Sequence, residues 1–67
     1  MKSGYMVMTE ETDFEEVYTV YRLIDALEPD VPKNREVAGR YSSHDYAIRE
    51  ARKLNKRAAE RFWKGCQ

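Results

Sequence analysis

The chain has 67 residues, 36% of them charged and 42% hydrophobic, and twelve basic and twelve acidic residues give a net charge of zero. This length accommodates one domain, residues 1–67, and such a short chain buries only about 60% of its unfolded surface. Five Tyr, two Phe and one Trp exclude a disordered type of composition. Cys66 is the only cysteine, so no disulfide forms within the monomer.

The N-terminal residues lack the apolar run of a signal peptide. No stretch approaches the roughly 20 apolar residues of a membrane span. We therefore expect a cytoplasmic protein with no membrane partner, in which a single thiol is stable.

The first two predicted elements form a β-hairpin. Residues 5–10 are short, apolar and rich in strand formers, and residues 16–24 are almost all β-branched, aromatic or aliphatic. The connection contains Thr12 and Asp13, which favour turns. Five carboxylates crowd this segment: Glu10, Glu11, Asp13, Glu15 and Glu16.

A loop and a weaker strand follow the hairpin. Residues 25–35 contain Pro29 and Pro32, which interrupt helices and β-ladders alike. Residues 36–41 alternate as a third strand does, and Gly39 within them predicts a bulge or a close backbone approach.

The last predicted element is a helix over about residues 43–64. Ser42 is its predicted N-cap, Asp45 completes a capping-box variant, and Tyr41 and Tyr46 form a hydrophobic staple. One apolar stripe runs along it, formed by Ala47, Ala51, Leu54, Ala58 and Phe62, with Ile48 beside it. The predicted fold class is α+β, with a three-stranded antiparallel sheet packed against one C-terminal α-helix in the order βββα.

No catalytic or metal-binding pattern is present in the sequence. It contains no glycine-rich phosphate loop, no Gly-x-Ser-x-Gly elbow and no His-Glu-x-x-His pair. His44, Ser42 and Ser43 lie at a helix start, where serine is favoured as a cap. Cys66 lies at the helix end that disfavours a thiolate, and one Cys with one His does not form a zinc site. We expect no catalytic residue, no metal and no cofactor.

Strand 16–24 is apolar on both faces, which predicts an interaction surface. Tyr18 and Tyr21 point to opposite faces, and a single helix covers only one of them. The uncovered tyrosine is then expected to contact another protein, with the chain acting alone or as a homodimer. The alternative is a second layer, formed by Leu27 and Val31 of the proline loop with the C-terminal aromatic residues, that buries this face.

The charges are divided along the chain. Residues 1–42 carry a net charge of −4 and residues 43–67 a net charge of +4, an asymmetry that indicates either charged partners or internal pairing. The hairpin carboxylates either solvate the turn or steer a basic partner, and the residues assigned to that second role are Glu11, Asp13, Glu15 and Glu16. The helix offers an alternative nucleic-acid surface, formed by Arg49, Arg52, Lys53, Lys56 and Arg57.

At the level of topology, a hairpin, a third strand and the helix segment YSSHDYAIREARKLN resemble small sheet-plus-helix domains. These include the AP2-like and arm-type DNA-binding modules of integrases, which read DNA with the exposed sheet face. Here the sheet is acidic and the helix basic, the reverse of that arrangement, so no functional residue is transferred. Size, split charge and the missing catalytic motifs are also similar to small phage or mobile-element inhibitors of host machinery, such as anti-CRISPR proteins.

Overall fold

The computed structural model describes the backbone of residues 2–65 and the side chains of residues 2–60. It contains β1 (Met6–Glu11), β2 (Glu16–Leu23), a short 3-10 helix (Pro32–Asn34), β3 (Arg35–Tyr41) and α1 (His44–Gly65). The strands form one antiparallel sheet in the order β1-β2-β3. The predicted βββα class is therefore confirmed, with element bounds within one or two residues of those expected.

The middle strand β2 pairs with both neighbours. Met6 lies opposite Tyr21 and Glu11 opposite Glu16 in the hairpin. On the other side, Val20 faces Gly39 while Tyr21 faces Val37, so Ala38 is an extra residue and the register shifts there. A Cβ at position 39 would lie 2.6 Å from the Tyr41 hydroxyl. Both structural roles predicted for this glycine segment, a bulge and a close approach, are therefore present.

The core lies between β2 and α1. Val20, Ala47 and Ala51 are buried there, and the partly buried residues packed against them are Tyr5, Val7, Tyr18, Tyr41 and Leu54. Two alanines on the helix let it lie close to the sheet, and the alternation along β2 directs its even-numbered residues toward the helix. The predicted stripe is confirmed at Ala47, Ala51 and Leu54. Ala58 is exposed, and the side chain of Phe62 lies outside the described residues.

The start of α1 differs by one residue from the expectation. Ser43, not Ser42, is the N-cap: its Oγ accepts a hydrogen bond from the Tyr46 N–H at 3.3 Å, and its carbonyl accepts one from the Ala47 N–H. The shift places Tyr46 at the third helical position, so the capping-box variant with Asp45 does not form. Tyr41 and Tyr46 do pack together, with ring centroids 5.0 Å apart.

Near its middle, α1 is attached to the sheet through Asn55. The Asn55 side chain accepts a hydrogen bond from the Tyr5 N–H at 2.7 Å and donates one to the Tyr5 carbonyl at 3.1 Å. From Asn55 through Glu60 every side chain is exposed. The helix therefore projects past the sheet, and the molecule measures 49 × 26 × 11 Å.

Candidate interaction sites

The hairpin tip is a turn organised by Thr12. The Thr12 N–H and hydroxyl both donate to the Glu15 carbonyl, at 2.8 and 2.9 Å. The same hydroxyl oxygen accepts hydrogen bonds from the N–H groups of Glu15 at 3.0 Å and Phe14 at 3.4 Å. A threonine hydroxyl that satisfies neighbouring backbone groups in this way stabilises a turn. It fixes Asp13 and Phe14 at the apex.

Phe14 is the most exposed large apolar residue of the described chain, at 98%. It contacts no core, because the turn places it beyond the ends of β1 and β2. The four carboxylates assigned to partner steering, Glu11, Asp13, Glu15 and Glu16, are also exposed and surround it in sequence. Within the described residues none of the four forms an ion pair. The tip therefore presents one aromatic ring inside a cluster of unpaired negative charges. We call residues 11–16 the acidic tip.

The sheet face opposite the helix is partly covered. Tyr21 lies on this outer face, yet it is only 6% exposed. Its hydroxyl donates to the Asp30 carboxylate at 2.8 Å, and the Arg35 guanidinium lies over its ring at 5.4 Å from the centroid. Arg35 also donates to Asp30 at 2.6 Å. The proline loop thus covers Tyr21 in the described structure.

The described covering layer includes the charged groups Asp30 and Arg35. Of the residues predicted for this layer, Val31 is half-buried, and the C-terminal aromatic side chains lie outside the described residues. Leu27 is 91% exposed. The loop is instead organised by Asn34, whose Oδ1 accepts from the Asp25 N–H and whose Nδ2 donates to the carbonyls of Asp25 and Pro29. These bonds fold the loop onto itself and bring Asp30 over Tyr21.

Tyr18, the other tyrosine predicted to bind a partner, lies on the helix side of β2. It packs against the core cluster, and its ring meets His44 edge-on with centroids 5.1 Å apart. Its hydroxyl donates to Glu16 at 3.1 Å, and this hydrogen bond to a carboxylate raises the pKa of the phenol. Tyr18 therefore joins the helix start to the base of the acidic tip.

Some apolar surface remains at the edges of the outer face. Met6 is 37% and Val37 is 41% exposed, one on each edge strand. Between them lies Tyr21, covered by the proline loop. The next outer-face residue of β2, Thr19, is fully buried, and its hydroxyl donates to Glu10. A shallow pocket of about 220 Å³ occupies this face, lined by Met8, Glu10, Pro32, Arg35, Val37 and Arg40. The remaining patch is split by polar groups, so it is less continuous than the sequence suggests.

The basic residues of α1 lie on the exposed side of the helix. Arg49, Arg52, Lys53, Lys56 and Arg57 are all exposed, and at 100° per residue they span one continuous arc of the helix. Among the described side chains only Lys53 has an acidic partner, Glu50 at 3.5 Å. No ion pair joins this arc to the acidic tip. Internal pairing therefore does not account for the charge division in this part of the chain.

The residues at the helix start have structural roles. Ser43 caps α1, and His44 packs against Tyr18. Within the described residues, no group of three or more His, Cys, Asp or Glu side chains is arranged to hold a metal ion. Cys66 lies outside the described part. None of the described helices combines the length and apolar character needed to cross a membrane.

No protein-family model matches the sequence, and searches of curated proteins and of solved structures gave no significant match. Sequence reasoning missed Phe14. The available signal was a single large apolar residue between carboxylates, directly after the turn formers Thr12 and Asp13.

Proposed function

We propose that this chain is a small non-enzymatic protein-binding module whose contact site is the acidic tip. The observation that carries the proposal is the 98% exposure of Phe14 among four carboxylates that form no ion pair with any described side chain. A turn at this position requires Thr12 and a small or polar residue, but it does not require an aromatic ring.

The energetics favour a partner for this ring. Burying a phenylalanine side chain stabilises a complex by about 1.5–3 kcal/mol, and aromatic anchors that enter a pocket dominate many interfaces. The Thr12 hydrogen bonds fix the backbone of the turn before binding, so little backbone conformational entropy is lost when the ring is captured.

The carboxylates define the chemistry of the partner. Four negative charges around one ring favour an apolar pocket rimmed by lysine or arginine, and they repel acidic surfaces. Such charges accelerate encounter and confer specificity more than they add affinity. An inhibitor or adaptor of host machinery in a phage or mobile element is the class of protein that we propose on this profile. We place it in the cytoplasm because its single cysteine cannot form an internal disulfide.

Affinity capture from the source cell tests the proposal. Wild-type bait should retain a defined protein that the Phe14→Ala bait loses. Leu27→Ala is the matched control, because Leu27 is also exposed (91%) but lies in the proline loop. If the Phe14→Ala and wild-type baits retain the same proteins in equal amounts, the acidic tip is not the contact site.

A second candidate, nucleic-acid binding, is supported by the basic arc of α1. Its cations are exposed, and most lack acidic partners among the described side chains. Binding to phosphates would weaken steeply with salt and would fall on Arg52→Glu or Lys56→Glu. Lys33→Glu is the control, because Lys33 is exposed in the loop away from the helix. A gel-shift experiment at low salt that shows no retardation would dispose of this candidate.

A further inference from the structure

The acidic tip and Arg57, the last residue of the basic arc, lie toward opposite ends of the molecule. β2 leads away from the tip at Glu16, and Arg22 lies six residues further along it. At about 3.3 Å per residue these two positions are roughly 20 Å apart. The tip of one chain therefore cannot reach the far end of its own sheet.

A small basic pocket lies at that far end. It has a volume of about 150 Å³ and is lined by Tyr5, Arg22, Leu54, Arg57 and Ala58. The Arg22 guanidinium lies over the Tyr5 ring, 4.8 Å from its centroid. A cavity of about 150 Å³ is large enough to bind benzene, so a phenyl ring fits this volume.

The charge of this pocket is complementary to the acidic tip. Arg22 and Lys2 share one carboxylate, Glu36, at 3.2 and 3.1 Å. Arg57 on the pocket wall has no acidic partner among the described side chains. Two cations thus share one carboxylate, and Arg57 adds a third positive charge on the pocket wall, so this end carries net positive charge.

We infer that a second copy of this chain occupies the pocket, with its Phe14 ring against Tyr5 and Leu54 and its tip carboxylates near Arg57. This rests on the proposed function, since it uses the same acidic tip and names its partner. Aromatic rings are favoured between an apolar wall and a guanidinium. The contact is small, so the association is weak and sensitive to salt.

Sedimentation equilibrium of the nuclease-treated full-length chain tests the inference. At about 0.02 M salt the weight-average mass should rise with concentration above that of one chain, and at about 0.5 M salt it should return to that value. Phe14→Ala and Arg57→Glu should each weaken self-association by about tenfold or more, through loss of the buried ring and of the charge pairing. Leu27→Ala and Lys33→Glu are the matched controls, because both residues are exposed in the proline loop, and they should behave as wild type.

A mixture of the two defective variants tests directly whether the tip of one chain binds the pocket of another. Phe14→Ala retains an intact pocket and Arg57→Glu retains an intact tip, so one contact can form between them. An equimolar mixture should recover a complex of two chains that neither variant forms alone.

Three outcomes would overturn the inference. The first is a monomer at every concentration and salt, and the second is a Phe14→Ala chain that associates as strongly as wild type. The third is association that nuclease treatment abolishes, which would assign the basic end to nucleic acid. Capture of a different protein through Phe14 by a strictly monomeric chain would contradict self-association while supporting the proposed function.

Discussion

Tyr21 is the side chain that holds the proline loop over the outer face of the sheet. Its hydroxyl bonds Asp30 and its ring lies beneath Arg35, which together hold the proline loop on β2. We expect Tyr21→Phe to lower the free energy of unfolding by about 0.5–1.5 kcal/mol, because one hydrogen bond is lost. Tyr21→Ala should cost about 3–5 kcal/mol, because a buried ring is removed.

Urea unfolding monitored by circular dichroism measures both effects. Tyr46→Phe is the control, since Tyr46 is half exposed and its hydroxyl bonds no described residue. A Tyr21→Ala chain as stable as wild type would show that the loop does not cover this face.

The lowered pKa values of two carboxylates, Asp30 and Glu36, predict how the stability of the fold responds to acid. Arg35, and then Tyr21, hydrogen-bond Asp30 and lower its pKa; Arg22, and then Lys2, do the same for Glu36. A lowered pKa means that the stabilisation is present above the unfolded values of about 4 and is lost as pH falls through the folded values. We expect the free energy of unfolding to decline below about pH 4–5.

At alkaline pH the dependence of stability on pH has the opposite sign. Burial, and then the Asp30 contact, raise the pKa of Tyr21, so its stabilisation is present below about pH 10 and is lost as pH rises through the folded value. Urea unfolding across the pH range should therefore show a plateau with a decline at each end. The Asp30→Asn variant should show a smaller acid decline, and an unchanged decline would contradict this assignment.

At the scale of elements, two adjacent serines differ in their role at the start of α1, because Ser43 caps the helix and Ser42 does not. Ser43→Ala should destabilise the fold by about 1 kcal/mol, because the Tyr46 N–H loses its acceptor. Ser42→Ala is the matched control and should change stability by less than about 0.5 kcal/mol. Thermal unfolding measures both, and equal losses in the two variants would contradict the observed cap.

The same elements show what the sequence can and cannot predict. Strand propensity, the two prolines and helical spacing sufficed for βββα, because each signal is local. Covering of the outer face by the proline loop could be stated from the sequence only as an alternative, because the contacts depend on Asp30 and Arg35, nine and fourteen residues from Tyr21, meeting over one ring. The cap moved by one residue because Ser42 and Ser43 satisfy the same local rule. Phe14 was not predicted as a contact residue, because residues in a turn are interpreted through their backbone preferences and not through their side chains.

At the scale of the whole molecule, the acidic and basic parts of the sequence form separate charged surfaces, the acidic tip and the basic arc. The ion pair Arg22–Glu36 joins neighbouring strands, and Arg40–Glu10 joins the two edge strands across β2. Among the described side chains, no ion pair connects the acidic tip with the basic arc. Screening of exposed charges beyond about 10 Å at 0.1 M salt lets the two ends act independently. One end offers a ring among carboxylates, and the other offers cations around a small pocket.

The most direct test of the central claim is site-specific photo-crosslinking in the source cell, with a photoreactive phenylalanine analogue at position 14 and, as control, at position 27. Both positions are almost fully exposed, so solvent access alone would label both alike. We expect position 14 to yield one defined crosslinked protein, either another protein or a second copy of the chain, and Glu11→Lys with Glu15→Lys to abolish it. Equal, diffuse labelling at positions 14 and 27 would contradict the assignment of the acidic tip as a contact site.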